Sequence, residues 1–160
     1  MYETYEAFLA LLAASGVSYT VHEHHPSYTV ADAEERLSFP LERLLKTVAF
    51  ISKTGPYVLA AARGPDHIDY RRLAAAVGTK RTNIARLTPE EVVDVFGVEV
   101  GSVSPIALRD NVMIFFDTEV PTEETVFCGI GRPDRTLEIH LSDLVRISHG
   151  RVLPLIKEES

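Results

Sequence analysis

One lysine, Lys46, interrupts an apolar run that extends from Leu45 to Ser52. Alternate residues of a strand share a face, so Lys46 is predicted to lie with Val48 and Phe50, and Thr47 on the opposite face. Because both faces are apolar, the ammonium group either reaches water past the strand end or projects into a cleft. The first is ordinary snorkelling, and the residues alone favour it. The second would hold a desolvated cation against an anion or a developing oxyanion.

Two glycine-containing segments could approach a ligand through their backbones. Gly101-Ser102-Val103-Ser104-Pro105 is predicted to be a loop that can direct several N–H groups at one carbonyl or carboxylate. The alternative is an ordinary connecting loop, because a glycine and a proline separated by three residues are only a weak signal of a ligand-binding loop. Gly129 and Gly131 either let another backbone approach closely or bend a strand.

Histidine and cysteine suggest two further kinds of site, neither of which the spacing favours. His22, His24 and His25 could begin a metal site, but a third and fourth ligand at a recognisable spacing are missing nearby, and His67 could join only by folding. We therefore favour an exposed polar strand and predict no metal site. Cys128 lacks the flanking pattern of a thiol hydrolase, and a buried lone cysteine is usually inert.

The charges are unevenly distributed along the chain. The formal net charge is −7, which argues against a protein that binds nucleic acid non-specifically along its length. It does not exclude a local pocket that binds one end of a nucleic acid. The densest basic stretch could contact phosphates or could form a solvated helix face. It consists of Arg71, Arg72, Lys80, Arg81 and Arg86.

Composition indicates a globular protein of the reducing cytoplasm. The chain has 160 residues, 46% hydrophobic and 24% charged, which suits one domain spanning residues 1–160 rather than a disordered chain. The single cysteine excludes an internal disulfide. We find neither an apolar run long enough to span a membrane nor the order of a signal peptide, so no membrane partner is expected.

Periodicity and capping signals predict a mixed α/β or α+β domain. A hairpin of two apolar strands around Gly55 is expected at the centre of a sheet. The predicted helices are Tyr2–Ser15, Thr29–Leu37, Asp69–Val77, Thr88–Phe96 and a last one beginning at Ser142. The predicted strands are Tyr19–His24, Leu45–Ser52, Tyr57–Ala62, Asn111–Asp117, Thr125–Gly129 and Thr136–His140.

Five motifs in this order resemble the YbaK/EbsC family, the stand-alone relatives of the editing domain of bacterial prolyl-tRNA synthetases. The resemblance runs from about Tyr19 to Gly150. The motifs are His25-Pro26-Ser-Tyr28-Thr29, Leu45-Lys46-Thr47-Val48-Ala49-Phe50, Gly64-Pro-Asp66-His-Ile-Asp69, Gly101-Ser-Val-Ser-Pro105 and Gly129-Ile-Gly131.

The resemblance implies a curled mixed β-sheet with helices around it, and the activity of an aminoacyl-tRNA deacylase. Such enzymes hydrolyse the ester of a mischarged amino acid; the expected substrate of this chain is mischarged tRNA(Pro), and no cofactor is expected. The family's lysine falls on Lys46, which is expected to be catalytic as an orienting cation rather than a nucleophile or base. Residues implied to bind the substrate are Thr47, Gly101, Ser102, Val103, Ser104, Pro105, Gly129 and Gly131.

The expected partner is the acceptor end of a mischarged tRNA, with prolyl-tRNA synthetase as a second candidate. Two departures from the family pattern concern the shape of the site: Pro65 follows Gly64 where relatives carry Pro-Gly-Asp, and Ile106-Ala107 stands where many carry a glycine. Two other hypotheses remain open. One is a non-catalytic module that binds tRNA or a synthetase, and the other is a hydrolase using Cys128 or a metal.

Overall fold

The computed structural model describes residues 2–26 and 39–158. The helix predicted over Thr29–Leu37 lies outside these residues, as do Tyr28 and Thr29 of the first motif. The described residues form four α-helices: α1 (Glu3–Ser15), α2 (Tyr70–Val77), α3 (Pro89–Phe96) and α4 (Leu141–Ser148). They also form eight strands: β1 (Tyr19–Glu23), β2 (Leu45–Ser52), β3 (Tyr57–Arg63), β4 (Ile84–Arg86), β5 (Val112–Asp117), β6 (Thr125–Cys128), β7 (Arg135–His140) and β8 (Arg151–Leu153).

Five strands form a mixed sheet in the order β4-β2-β3-β5-β8. The β2–β3 hairpin is antiparallel and lies inside this sheet, which confirms the predicted hairpin. The chain then crosses over through α2, β4 and α3, so that β5 runs parallel to β3. β8 is parallel to β5, and β4 is antiparallel to the end of β2.

The remaining three strands form an antiparallel sheet in the order β1-β7-β6. A parallel bridge between Leu44 and Phe127 joins this sheet to the start of β2. The connection lies on the side of β2 opposite β3, the same side on which β4 pairs with the other end of β2. The predicted mixed α+β architecture, with helices around a mixed β-sheet, is confirmed.

β2 is buried on both faces because it lies between two apolar clusters. Leu45 and Ala49 belong to the larger cluster, which includes side chains of α1, α4 and the three-stranded sheet. Val48 and Phe50 belong to the other cluster, which packs against α2. The alternation predicted from the sequence is thus the one observed, and Lys46 lies on the face of Val48 and Phe50.

Local capping signals account for most helix ends. The Asp69 side chain accepts hydrogen bonds from the N–H groups of Arg71 and Arg72 at the start of α2. Thr88 and Glu91 form the predicted capping box of α3. The prediction that the last helix begins at Ser142 was one residue late, because the His140 side chain accepts from the Ser142 N–H and α4 starts at Leu141.

Strand ends were predicted less well. β5 starts at Val112 rather than Asn111, whose φ of 65° is incompatible with an extended strand. β1 and β6 each end one residue earlier than predicted, at Glu23 and Cys128, whereas β3 and β7 each gain a residue at one end. The three-residue strands β4 and β8 were missed. None of the described helices has the length and apolar character needed to cross a bilayer.

Candidate functional site

Lys46 extends its ammonium group to the loop that follows β3. Nζ lies 3.2 Å from the carbonyl oxygen of Asp66, to which it donates a hydrogen bond. The loop is itself fixed, because Asp66 Oδ2 accepts from Arg63 Nε at 2.7 Å and the Gly64 N–H donates to the Leu44 carbonyl at 2.8 Å. The structure therefore favours the cleft interpretation of Lys46 over simple snorkelling.

The surroundings of Lys46 make its charged form less stable than that of an ordinary lysine. Burial lowers the pKa of Lys46, and the nearby positive charge of Arg86 lowers it further, whereas Asp66 raises it. The residue remains half-buried rather than sealed from water. The surrounding protein groups only partly balance the positive charge of Lys46, so an anionic group of a ligand would stabilise the charged form.

An open cleft of about 780 Å³ extends outward from Lys46. Its floor includes the apolar side chains of Val48, Phe50 and Ile68, and the N-terminal part of α2 forms one wall. Its cationic lining residues are Lys46, Arg71, Arg72, Arg81, Arg86 and Lys157. The basic stretch predicted from sequence thus contributes four members to what we call the basic cleft, whereas Lys80 does not line it.

Lys157 and His67 also line the basic cleft, and sequence reasoning missed the first and considered the second only as a metal ligand. A backbone hydrogen bond from the Lys157 N–H to the His67 carbonyl, at 2.9 Å, holds the two segments together. The neighbouring bridge between Ile68 and Ile156 does the same. No local sequence signal joins residues so far apart in the chain.

The Gly101–Pro105 loop packs directly against the glycine pair that follows β6. The Gly131 N–H donates to the Ser102 carbonyl at 2.9 Å. A Cβ on Gly129 would lie only 2.4 Å from the carbonyl oxygen of Val103, so this position excludes any side chain. The structure therefore brings these two predicted segments together, and close backbone approach is the reason for glycine at position 129.

Three hydroxyl groups, one on β2 and two on the Gly101–Pro105 loop, are buried without a hydrogen-bond partner among the described residues. They belong to Thr47, Ser102 and Ser104. Burying a hydroxyl without a partner costs about 1–3 kcal/mol, so such groups require an explanation. All three residues are among those implied by the family resemblance to bind the substrate.

The bridge between Leu44 and Phe127 connects the loop region to the strand that carries Lys46. Because this bridge is parallel, the two segments run from it in the same direction, one from Leu44 toward Lys46 and the other from Phe127 toward Gly129. Thr47 follows on the opposite face of β2 from Lys46. The predicted residues therefore fall into two groups, with Lys46 at the basic cleft and the Gly101–Pro105 loop beside the end of β6.

The open edge of β2 lies between these groups. The Leu44 carbonyl points toward β3, where it accepts from Gly64, and the Ala49 carbonyl points away, where it accepts from the Leu87 N–H at 3.0 Å. Because backbone groups alternate along a strand, the N–H and carbonyl of Thr47 also point away from β3. No described strand pairs with Thr47 on that side.

The histidine and cysteine hypotheses receive no structural support. His22 Nε2 lies 2.8 Å from Glu138, and His24 Nε2 lies 2.8 Å from the hydroxyl of Thr136. Within residues 2–26 and 39–158, no three His, Cys, Asp or Glu side chains are grouped to hold a metal ion. Burial raises the pKa of the Cys128 thiol to about 12, so the thiolate needed for nucleophilic chemistry is strongly disfavoured.

Comparison with known sequences assigns the family. The sequence model of the aminoacyl-tRNA editing domain matches residues 24–147. The chain belongs to this family. This editing domain is 28% identical over 126 residues to the uncharacterized protein YwhH of Bacillus subtilis, covering 79% of this chain and 78% of that protein.

The editing domain is also similar to part of proline–tRNA ligases. It is 27% identical over 135 residues to the enzyme of Streptococcus uberis, covering 79% of this chain but only 21% of the ligase. Among solved structures, a candidate trans-editing enzyme for prolyl tRNA synthetase superposes with a TM-score of 0.83 at 19% identity, covering 99% of each chain. At that identity the superposition shows the shared fold alone.

Proposed function

We propose that this protein is an aminoacyl-tRNA deacylase that acts in trans on mischarged tRNA. Membership of the aminoacyl-tRNA editing domain family supports a role in tRNA editing. The alignment with proline–tRNA ligases supports tRNA(Pro) as the substrate and prolyl-tRNA synthetase as a partner. Both molecules act in translation, so we place the protein in the cytoplasm.

The observation that carries this proposal is the set of unpartnered hydroxyls on Thr47, Ser102 and Ser104. Ser102 and Ser104 are almost completely buried, at 0% and 3% exposure, in a loop pressed against Gly129. A rigid loop with unsatisfied polar groups is suited to a polar ligand that supplies the missing hydrogen bonds. The amino-acid moiety of an aminoacyl ester has such groups in its ammonium and carbonyl.

The chemistry requires positioning rather than a protein nucleophile. A water molecule, or a hydroxyl or thiol of the substrate, adds to the ester carbonyl and forms a tetrahedral oxyanion. The bond from the carbonyl carbon to the ribose oxygen then breaks, and that oxygen takes up a proton. When water attacks, the products are the free amino acid and uncharged tRNA. When a group of the substrate attacks, water completes the release.

Two elements of the site match these steps. Backbone N–H groups of Gly101, Val103 and Ser104 are the candidate donors to the oxyanion, because the Ser102 N–H already donates to the Glu99 carbonyl at 3.0 Å. The Lys46 ammonium orients the substrate through a phosphate or carbonyl oxygen and need not lose its proton. Removing one such electrostatic contact costs about 10²–10³ in rate in other enzymes.

The test is the release of amino acid from a panel of mischarged tRNAs by the wild-type protein, Lys46→Ala and Lys53→Ala. Lys53 is an exposed lysine at the β2–β3 turn and serves as the matched control. We expect release by the wild type and by Lys53→Ala, and at least a hundredfold slower release by Lys46→Ala. Release of no amino acid from any tRNA by the wild type would contradict the proposal.

The same panel separates the two other hypotheses. A wild-type protein that binds charged tRNA without releasing its amino acid would be a binding module. Loss of activity on Cys128→Ser substitution or on chelator treatment would indicate a thiol- or metal-dependent hydrolase. We expect activity to survive both treatments, because the Cys128 thiol is buried and protonated.

A further inference from the structure

We propose that the basic cleft binds the sugar–phosphate backbone of the acceptor strand of tRNA and leads its 3′ end to Lys46. This inference rests on the proposed function, because it concerns how the same substrate is held. It assigns a role to Arg71, Arg81, Arg86 and Lys157 that the hydrolytic chemistry does not require.

The basic cleft carries a concentrated positive charge. Six cationic side chains line it against two carboxylates, Asp69 and Glu158. Asp69 caps α2, and Glu158 pairs with Arg72 at 2.5 Å. Apart from Lys46, whose ammonium donates to the Asp66 backbone carbonyl, four of the cations have no carboxylate partner among the described residues, in a protein whose formal net charge is −7: Arg71, Arg81, Arg86 and Lys157. Such a concentration of one sign opposes the overall composition and suits a polyanion.

The basic cleft is open rather than enclosed. Pockets that enclose small metabolites are usually closed and mostly apolar, with a few polar groups. Here an open cleft of about 780 Å³ is bordered by exposed cations on α2, on β4 and in the C-terminal segment. An extended ligand that carries charge at regular intervals fits this arrangement better than a compact molecule does.

One pair of side chains in the basic cleft favours RNA over an acidic peptide as the ligand. The Arg81 guanidinium lies 4.5 Å from the centroid of the Tyr70 ring and donates to the Ile84 carbonyl at 3.3 Å. The Arg81 guanidinium is therefore held over the face of the Tyr70 ring within the cleft. Unpaired RNA bases stack on such guanidinium and aromatic planes, whereas carboxylates need only the charge.

The basic cleft is continuous with the candidate catalytic residue. Lys46 lines the cleft and lies near the start of β2, whose open edge leads toward Gly129. A strand of RNA lying along the cleft would place its last phosphate near the Lys46 ammonium. The aminoacyl group would then extend past the edge of β2 toward the Gly101–Pro105 loop.

The experiment measures binding of an uncharged RNA minihelix ending in CCA, so that its readout does not depend on turnover. Dissociation constants are determined between 50 and 200 mM salt for the wild type, for Arg71→Gln/Arg86→Gln and for the control Lys53→Gln/Arg151→Gln. All four side chains are exposed, and both double variants remove two positive charges. The control residues do not line the basic cleft.

We expect the cleft variant to reduce the magnitude of the slope of log K against log salt by about 1.4–1.8, since each of the two lost phosphate contacts contributes about 0.7–0.9. Over this salt range the wild type should therefore lose roughly tenfold more affinity than the cleft variant. The control variant should keep a slope within about 0.5 of the wild type. Circular dichroism should confirm that all three proteins are folded.

Three results would overturn the inference. They are equal slopes for the cleft variant and the wild type, equal losses in the two double variants, and binding of a polyglutamate of the same charge as tightly as the RNA. The last would identify an acidic protein segment as the ligand. If the wild type binds RNA through the cleft but hydrolyses no mischarged tRNA, the proposed function fails while this inference stands.

Discussion

Replacing Gly129 by alanine tests whether the position of the Gly101–Pro105 loop controls activity. The new Cβ would lie 2.4 Å from the Val103 carbonyl oxygen and 2.9 Å from the Ser102 carbonyl carbon. Ordinary contact begins near 3.4 Å, so one of the two backbones must move by about 1 Å. Neither neighbour can rotate out of the way, because both contacts are to main-chain atoms.

The displacement sets the expected magnitudes. Overpacking of this kind costs about 1–3 kcal/mol in the free energy of unfolding. Misplacing a positioning element by 1 Å can lower the rate about a hundredfold. We therefore expect Gly129→Ala to lower kcat/KM for deacylation by roughly that factor while the protein remains folded.

The assay pairs steady-state deacylation of mischarged tRNA with urea denaturation, and Gly16→Ala is the control. Gly16 ends α1 with a φ of 75°, and a Cβ added there would have no other atom within 4 Å, so alanine is strained but meets nothing. That strain costs about 1–2 kcal/mol. Both variants should lose stability, but only Gly129→Ala should lose activity. A Gly129→Ala protein that is destabilised yet deacylates within threefold of the wild type would refute control of activity by the loop.

Three further predictions concern single side chains. Thr47→Val should raise the free energy of unfolding by about 1 kcal/mol, because it removes a buried unpartnered hydroxyl, and it should also lower kcat/KM. A lower free energy of unfolding in urea would instead show that the Thr47 hydroxyl has a hydrogen-bond partner in the folded protein. Thr88→Ala should lower the free energy of unfolding by about 1 kcal/mol, because it removes the cap of α3, and it should leave the rate of deacylation unchanged. A clearly lower rate of deacylation by the folded variant would place α3 in the site. A hydrogen bond from Arg132 lowers the pKa of Asp134 in the folded protein. The ionised Asp134 carboxylate therefore stabilises the fold fully at pH values above the carboxyl pKa of the unfolded chain, and this stabilisation is lost as the pH falls through the lower pKa of the folded state. The difference in Tm between Asp134→Asn and the wild type should therefore be constant from pH 7 to 5 and shrink below about pH 4, and a difference that grows in acid would contradict this sign.

Local signals were sufficient to predict the elements that carry the candidate site. Apolar alternation placed Lys46 on the face of Val48 and Phe50, because burial on both faces leaves no other register for the side chains. The caps at Asp69 and Thr88 depend only on residues within one helical turn, so their sequence signals translated directly into structure. Helices that depend on such neighbours can be predicted without knowledge of the fold.

Features that depend on distant segments could not be predicted in this way. β4 and β8 have three residues each, too few to show a period, and they exist because the edges of β2 and β5 pair with them. Lys157 joins the basic cleft through backbone contacts with the segment around His67. The contact of Ser102 with Gly131 likewise results from tertiary packing, and only the family resemblance placed the two segments in one site.

β2 separates the two groups of predicted residues, so its register decides to which group each side chain belongs. Lys46 and Thr47 are consecutive, so the pleat sends one side chain to the basic cleft and the other to the opposite face. A shift of the strand register by one residue would exchange the faces of Lys46 and Thr47. It would also turn the apolar side chains of each face of β2 toward the cluster that packs on the opposite face. The pairing of Lys46 with Ala62, and the burial of Val48 and Phe50 on one side and Leu45 on the other, oppose that slip. The same hydrophobic burial that stabilises the sheet thus keeps a cation on the side of the basic cleft and a hydroxyl on the opposite face, which is the two-sided arrangement on which the proposed function depends.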